Sequence, residues 1–150
     1  MVVAAPIETV WAFHTDVGNL LRIIPLNRRP HVLKLHERFE PGAEFVLRVG
    51  FAYFWLHWHG RITEVDAPKR FADEIVRPEG PFETFAHEHR FERVDDDHTR
   101  MIETLDYRLR WGPIGQLINA LVVRGKIREM FAWRRRMLPR AMQIWRAEKD

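Results

Sequence analysis

Cysteine and serine are both missing from this chain of 150 residues. Without cysteine the chain cannot form a disulfide, a thiolate metal site or a cysteine nucleophile. Without serine it cannot carry the strand-to-helix nucleophile elbow of the serine hydrolases, and threonine is the only aliphatic hydroxyl that remains. These two absences exclude most enzymes that work through a covalent acyl intermediate.

Long apolar runs are also missing. The longest, Phe51 to Leu56, is far shorter than the roughly 20 residues that cross a bilayer. The N-terminus has no basic region and reaches Glu8 within its first residues, so it does not resemble a signal peptide. We therefore expect a cytoplasmic protein.

The composition is that of a folded domain. Hydrophobic residues make up 46% of the chain and aromatic residues 12%. A disordered chain contains fewer of both kinds of residue. A chain of this length commonly forms one domain, so we expect residues 1–150 to fold as a single unit.

The charge is unevenly distributed. Residues 110–150 carry ten Lys/Arg and three Asp/Glu, a net +7, and the rest of the chain carries 14 Lys/Arg and 18 Asp/Glu, a net −4. A solvated helix face explains the basic end most simply, while weak contact with an anionic membrane or an interaction module is the alternative. We expect no nucleic-acid binding, because the middle of the chain lacks an interleaved basic and aromatic face.

Periodicity predicts two short helices followed by a strand meander. Helical spacing runs from Pro6 to about His14, and a second helix from Asp16 ends at Pro25. The period then becomes two, with turns rich in Pro, Gly and Asp between the segments. The predicted strands are 29–38, 43–50, 52–65, 69–76, 82–94 and 98–110. Short loops between them favour an antiparallel sheet.

A long helix is predicted after Gly112-Pro113, but its apolar residues change side. The first stripe consists of Ile114, Leu117, Ile118 and Leu121. The later apolar residues, Val123, Ile127, Met130, Phe131, Leu138 and Ala141, fall on nearly the opposite side of an ideal helix. Either the helix breaks near 120–125 or its two halves contact different surfaces.

Several motifs resemble those of one superfamily. They are Ala5-Pro-Ile-Glu-Thr-Val-Trp11, Gly80-Pro-Phe82, Phe85-x-His-x-His-x-Phe91, Thr99-x-Met-x-Glu-x-Leu-x-Tyr107 and Gly112-Pro-Ile-Gly115. In this combination and order the chain resembles the SRPBCC superfamily, especially its polyketide cyclase/dehydrase-like bacterial members, and also START domains and the birch-pollen-allergen fold. The resemblance covers nearly the whole chain.

The resemblance implies an α+β helix-grip fold, in which a curved antiparallel sheet, two short helices and a long C-terminal helix enclose a cavity. It also implies an apolar ligand such as a lipid, a polyketide or another aromatic compound, without cofactor. Members of the superfamily include carriers as well as cyclases. We favour a binder over an enzyme, with a polyketide cyclase or dehydratase as the alternative.

Strand parity selects the residues that face the predicted cavity. Together with an arginine of the last helix they form the predicted ligand site: Phe54, Trp58, Phe71, Asp73, Phe85, His87, His89, Met101, Glu103, Tyr107 and Arg134. Most of this set is apolar, and its polar members need partners because an unpaired buried charge is costly.

The hairpin between the last two strands predicts that His87 or His89 lies beside Glu103. Such a pair is either structural, or it orients a ligand or serves catalysis, with a histidine as general base and Glu103 orienting it. The two His-x-His pairs at 57–59 and 87–89 lie two strands apart and on opposite faces, so we expect no metal shared between them. Arg134 shares its helical phase with Leu138, which predicts that it turns inward to a carboxylate.

Overall fold

The structure is a computed structural model that describes residues 1–25, 31–36, 38–51 and 54–149. Within these ranges the side chains at 17, 35, 50, 51 and 54 are not described. Phe54, a predicted ligand-site residue, therefore lies outside the described side chains.

The described chain forms a helix, a turn and a second helix before a meander of strands and a long C-terminal helix. The first strand β1 is Val2–Val3, and α1 is Ile7–Thr15, followed by a 3-10 turn at Val17–Asn19 and by α2 at Leu20–Ile23. The later strands are β2 His31–Leu35, β3 Glu44–Phe51, β4 Phe54–Asp66, β5 Arg70–Ile75, β6 Phe82–Arg93 and β7 Thr99–Leu109. The C-terminal helix consists of α3 Gly112–Ile118, a π-helical turn Asn119–Val123 and α4 Arg124–Ala147.

The strands form one antiparallel sheet in the order β1-β7-β6-β5-β4-β3-β2. Successive strands pair as neighbours because their connections are short, and β1 closes against the far edge of β7. The sheet curves around the long C-terminal helix, which confirms the predicted α+β helix-grip fold. Of the predicted strand 29–38, residues 31–35 are strand and residues 36 and 38 are not, while residues 29, 30 and 37 lie outside the described part of the chain.

The period of two separates the faces of the sheet as the sequence predicts. On β6, His87, His89 and Phe91 are buried, while Thr84 and Arg90 are exposed on the outer face. Burial of the inner face supplies most of the favourable free energy of folding, at about 25 cal/mol per Å² of apolar surface.

Three apolar clusters fill the described part of the inner face. One is formed by Ala43, Phe45, Leu47 and Ile62 on β3, β4 and the residue before β3, and the other two lie at opposite ends of the central strands. The closed end packs α1 and the last turns of α4 against the sheet through Val3, Val10, Phe13, Phe71, Phe91, Met101, Leu138, Met142 and Trp145. The open end lies beneath the first half of the C-terminal helix, with Ile75, Phe82, Leu109 and Val123 buried and Trp58, Phe85, Tyr107, Ile118 and Ile127 half-buried.

The C-terminal helix does not break near 120–125. It continues through the π-helical turn, where the Arg124 N–H donates to the Asn119 carbonyl, a wider hydrogen bond that fits one extra residue into the turn. The Tyr107 hydroxyl donates to the Asn119 side chain at 2.7 Å and ties the turn to β7. Among the described residues, no helix is long and apolar enough to cross a bilayer.

The extra residue shifts the helical phase between the two halves of the C-terminal helix. On an ideal helix the buried Arg134 would lie about 100° from the buried Gly115, and one additional residue turns it back to the same face. Of the two alternatives that the sequence left open, the break is wrong, and different surfaces are found only in part. The later stripe packs on the inner face, whereas Ile114, Leu117 and Leu121 of the first stripe face solvent.

Candidate functional site

Five polar side chains lie at one level of the inner face, between the closed and the open end. We call them the polar layer: Asp73 of β5, His87 and His89 of β6, Glu103 of β7 and Arg134 of α4. The sheet register places His87 opposite Asp73 and His89 opposite Glu103. Three adjacent strands and the facing helix therefore each contribute charge or hydrogen-bonding capacity to one buried layer.

Glu103 is the centre of this layer. Its Oε1 lies 2.9 Å from Arg134 Nη2, 3.5 Å from His87 Nε2 and 3.6 Å from His89 Nδ1. The predicted neighbourhood of the histidines and Glu103 is confirmed, but both distances exceed the usual 2.7–3.2 Å of an N–H···O hydrogen bond. Arg134 makes the short contact and carries the strong interaction.

Arg134 turns inward, as its helical phase predicts. It is only 7% exposed, whereas Arg135 and Arg136 are exposed on the solvent side of α4. Its guanidinium also lies 5.4 Å from the ring centre of Phe131. A planar, permanently charged group thus faces Glu103 from the helix side of the site.

The two carboxylates have opposite pKa shifts. Burial alone would raise the pKa of Glu103, but the charges of Arg134 and His87 outweigh it and lower the pKa to about 2. Burial raises the pKa of Asp73 to about 6, although His87 and Arg134 act in the opposite direction. Glu103 is therefore ionised across the physiological range, while Asp73 titrates near pH 6.

The histidines of the layer have little access to solvent. Burial lowers the pKa of His89 well below 6.5, and the neighbouring charges of His87, Arg134 and His14 lower it further. The His89 ring stacks on Phe71 with centroids 4.3 Å apart, and its Nε2 lies 4.0 Å from Asp73 Oδ2. A neutral, weakly basic imidazole can donate or accept a hydrogen bond, but it is a poor general base near pH 7.

One grouping in the described residues could hold a metal ion. Potential ligand atoms of Asp73, His87 and His89 lie within 4.8 Å of one another. The sequence offers the 87–89 pair with His57 and His59, which lie on the outer face, as the combination to consider, and the grouping with Asp73 is not among its predictions. The positive charge of Arg134, which acts on Asp73 and His89, opposes a divalent cation at this point.

The apolar members of the predicted site divide between the two ends. Phe71 and Met101 are buried in the closed end, packed against α1 and α4. Trp58, Phe85 and Tyr107 line the open end, where Trp58 meets Phe85 edge-to-face at a centroid distance of 4.5 Å. Partial exposure of three aromatic rings on the inner face is unusual for a filled core, and it leaves apolar surface on which a ligand can pack.

Two surface depressions lie outside the open end. One, of about 320 Å³, runs between α1 and the last turns of α4 and is lined by Glu8, Ala12 and Trp145. The other, of about 380 Å³, lies beside β1 and is lined by Val3, Pro139 and Met142. The cavity predicted between the sheet and the residues after Gly115 stays a prediction.

Sequence reasoning missed two residues beside the polar layer. His14 of α1 is half-buried with its ring centre 6.1 Å from His89, and burial lowers its pKa to about 4. Phe131 meets His87 edge-to-face at 5.7 Å. The i, i+4 spacing from Val10, a buried position, was the signal that could have placed His14 on the inner side of α1.

Comparison with known proteins identifies the family to which this fold belongs. Residues 3–134 match the family described as polyketide cyclase / dehydrase and lipid transport. The chain belongs to this family. None of the curated proteins matches it significantly.

Solved structures of several other proteins share the fold. TTHA0849 from Thermus thermophilus has a TM-score of 0.74 at 20% identity, with 96% of this chain and 94% of that chain covered. The ZhuI aromatase/cyclase from a Streptomyces species has a TM-score of 0.67 at 20% identity, covering 93% and 91%. Ara h 8.0201 has a TM-score of 0.60 at 11% identity, covering 92% and 93%. At these identities the likeness concerns the fold.

Proposed function

We propose that residues 1–150 form one ligand-binding domain, in which an apolar small molecule lies between the open end of the sheet and the C-terminal helix, with a polar group reaching the polar layer. The observation that carries the proposal is the arrangement along the central strands. Half-exposed aromatic rings lead directly to a buried layer of Asp73, Glu103 and Arg134. A mostly apolar wall with a few convergent polar groups is the usual composition of a small-molecule site.

The polar layer supplies both signs of hydrogen-bonding partner to such a ligand. Arg134 has five donors, of which Nε has no hydrogen-bond partner among the described residues. Asp73 lies 4.0 Å from its nearest histidine nitrogen and accepts no close hydrogen bond there. A ligand hydroxyl group could donate a hydrogen bond to Asp73, and a ligand carbonyl group could accept one from Arg134. Both side chains are otherwise costly to bury.

A carrier role is favoured over catalysis by the state of the histidines. His89 has a lowered pKa and is packed between Phe71 and Glu103, so it has neither the basicity nor the exposure of a general base. Family membership and the aromatase/cyclase neighbour support a cyclase or dehydratase as the second candidate. In that case His87, whose Nε2 faces Glu103 at 3.5 Å, is the base to test.

Mass spectrometry of the purified protein under native conditions, followed by organic extraction, tests the proposal directly. A small apolar compound bound in stoichiometric amount is the expected result. Incubation of the protein with a linear aromatic-polyketide mimic separates the candidates, because a carrier returns it unchanged while a cyclase releases a cyclised or dehydrated product. Loss of that product in His87→Gln with retained binding would establish the enzyme.

Replacing Trp58 by alanine is expected to weaken the binding of an apolar fluorescent probe such as Nile red by about tenfold, because the ring forms part of the open-end wall. The matched control is Trp55→Ala on the same strand. Trp55 is 44% exposed on the outer face, where it stacks under Arg48. Fluorescence titration compares the two variants, and equal affinities would place the ligand outside the open end.

A further inference from the structure

The first apolar stripe of the C-terminal helix faces solvent. Ile114 is 66% exposed, Leu117 60% and Leu121 74%, and both Trp111 and Val122 are also exposed. We call these five residues the helix patch. Ile114, Leu117 and Leu121 recur at helical spacing on the exposed side of α3 and the π-helical turn, with Trp111 just before α3 and Val122 next to Leu121. Together they form one apolar strip, not scattered surface positions.

Positive charge surrounds the helix patch. From residue 107 to residue 128 the chain has five Lys/Arg and no Asp or Glu. Arg108 pairs with Glu83 and Lys126 with Glu129. Within the part of the chain that the structure describes, Arg110, Arg124 and Arg128 make no ion pair, which leaves three uncompensated charges at the two ends of the strip.

We propose that the helix patch docks on the surface of an anionic lipid bilayer. A helix lying in the interface buries its apolar side in the boundary between headgroups and acyl chains, while flanking arginines meet the lipid phosphates. The exposed Leu and Ile residues with Arg110, Arg124 and Arg128 at their ends have this arrangement. In this proposal the basic residues of the C-terminal segment contact the anionic headgroups of the bilayer.

Charge complementarity favours a lipid surface over a second copy of the chain. A symmetric dimer through the helix patch would bring the same strip of each copy together, and with it the unpaired arginines of both copies. Such like charges repel, and the patch offers no carboxylate to offset them. An anionic bilayer supplies the opposite charge along the whole length of the strip.

Docking in this way sets the orientation of the domain. Ile118 belongs to the same helical segment as the helix patch but lies half-buried against the apolar cluster of the open end. The open end therefore lies next to the bilayer when the patch is docked. The docking itself does not depend on which ligand the open end takes.

Vesicle co-sedimentation tests the proposal with the full chain. The wild type should bind vesicles of phosphatidylglycerol and phosphatidylcholine in equal parts, and bind phosphatidylcholine alone much more weakly, with binding reduced at high salt. Leu117→Gln combined with Leu121→Gln should weaken binding to the anionic vesicles about tenfold or more, because two exposed apolar side chains no longer enter the interface. Arg124→Gln combined with Arg128→Gln should weaken it to a similar extent.

The controls use exposed residues at the other end of the same helix. Ile144→Gln removes an exposed apolar side chain from α4, and Arg135→Gln with Arg136→Gln removes two exposed charges. These variants should bind like the wild type. Equal losses in the controls, equal binding to neutral vesicles, or no vesicle binding at all would overturn the proposal. So would a dimer in sedimentation velocity that only the Leu117/Leu121 variant dissolves. Nile red binding in solution is measured in parallel, so that failure of the ligand site is distinguished from failure of docking.

Discussion

Replacing Arg134 by methionine should lower the free energy of unfolding by about 3–5 kcal/mol, the usual cost of removing one partner from a buried ion pair. The guanidinium lies 2.9 Å from Glu103 Oε1, and both side chains are at least nine-tenths buried. Methionine fills a similar volume but leaves Glu103 ionised without its main counter-charge. Urea denaturation followed by tryptophan fluorescence measures the change.

The neighbouring arginines provide the matched controls. Arg135→Met and Arg136→Met remove exposed charges from the same turn of α4. Each should lower the free energy of unfolding by about 1 kcal/mol or less. Combining Arg134→Met with Glu103→Gln should recover part of the lost stability, because the second change removes the unpaired charge. Equal and small effects from all three arginine variants would mean that the Arg134–Glu103 ion pair contributes little to the free energy of unfolding.

Asparagine in place of Asp73 should stabilise the protein above pH 6, where the buried carboxylate is ionised. Burial raises the pKa of Asp73 from 3.8 to about 6, which corresponds to on the order of 3 kcal/mol of destabilisation once the group is charged. Between these values the folded state binds more protons at Asp73 than the unfolded state, so the contribution of this group falls as the pH rises. The increase in the free energy of unfolding caused by Asp73→Asn should therefore be complete at pH 7.5 and absent below about pH 4.

Urea denaturation at both pH values tests the sign. Asp106→Asn is the matched control, since Asp106 is exposed on the outer face of β7 and its replacement should change stability little at either pH. If Asp73→Asn is less stable at pH 7.5 than the wild type, the carboxylate has a partner that compensates its burial. A variant that gains stability but loses ligand affinity would show that Asp73 is kept for binding.

The sheet and its inner face could be predicted from the sequence because alternation is a local property. Phe71, Asp73, His89 and Glu103 were placed on one face by parity alone, and hairpin pairing brought the last two together. The inward turn of Arg134 also followed from spacing, since Leu138 lies one turn further on. These inferences need only a regular strand or a regular helix.

The features that escaped prediction depend on departures from regular geometry or on contacts between distant segments. One extra residue in the π-helical turn shifts the helical phase, and nothing in Asn119–Val123 signals a wider hydrogen bond. His14 reaches His89 only because α1 packs on β6. Whether an inward ring such as Phe71 or Trp58 is buried or half-exposed depends on what covers it, and alternation carries no information about that.

The π-helical turn has a consequence for chain length. Because Asn119–Val123 holds one residue more than a regular helix would, the loss of one residue there leaves an ordinary helix with Gly115 and Arg134 still on the same face. The loss of a second residue would rotate everything beyond it by about 100° and separate Arg134 from Glu103. Homologous chains can thus differ by a single deletion at this point and keep the arginine–glutamate contact, whereas larger changes in length would have to be matched by a rebuilt polar layer.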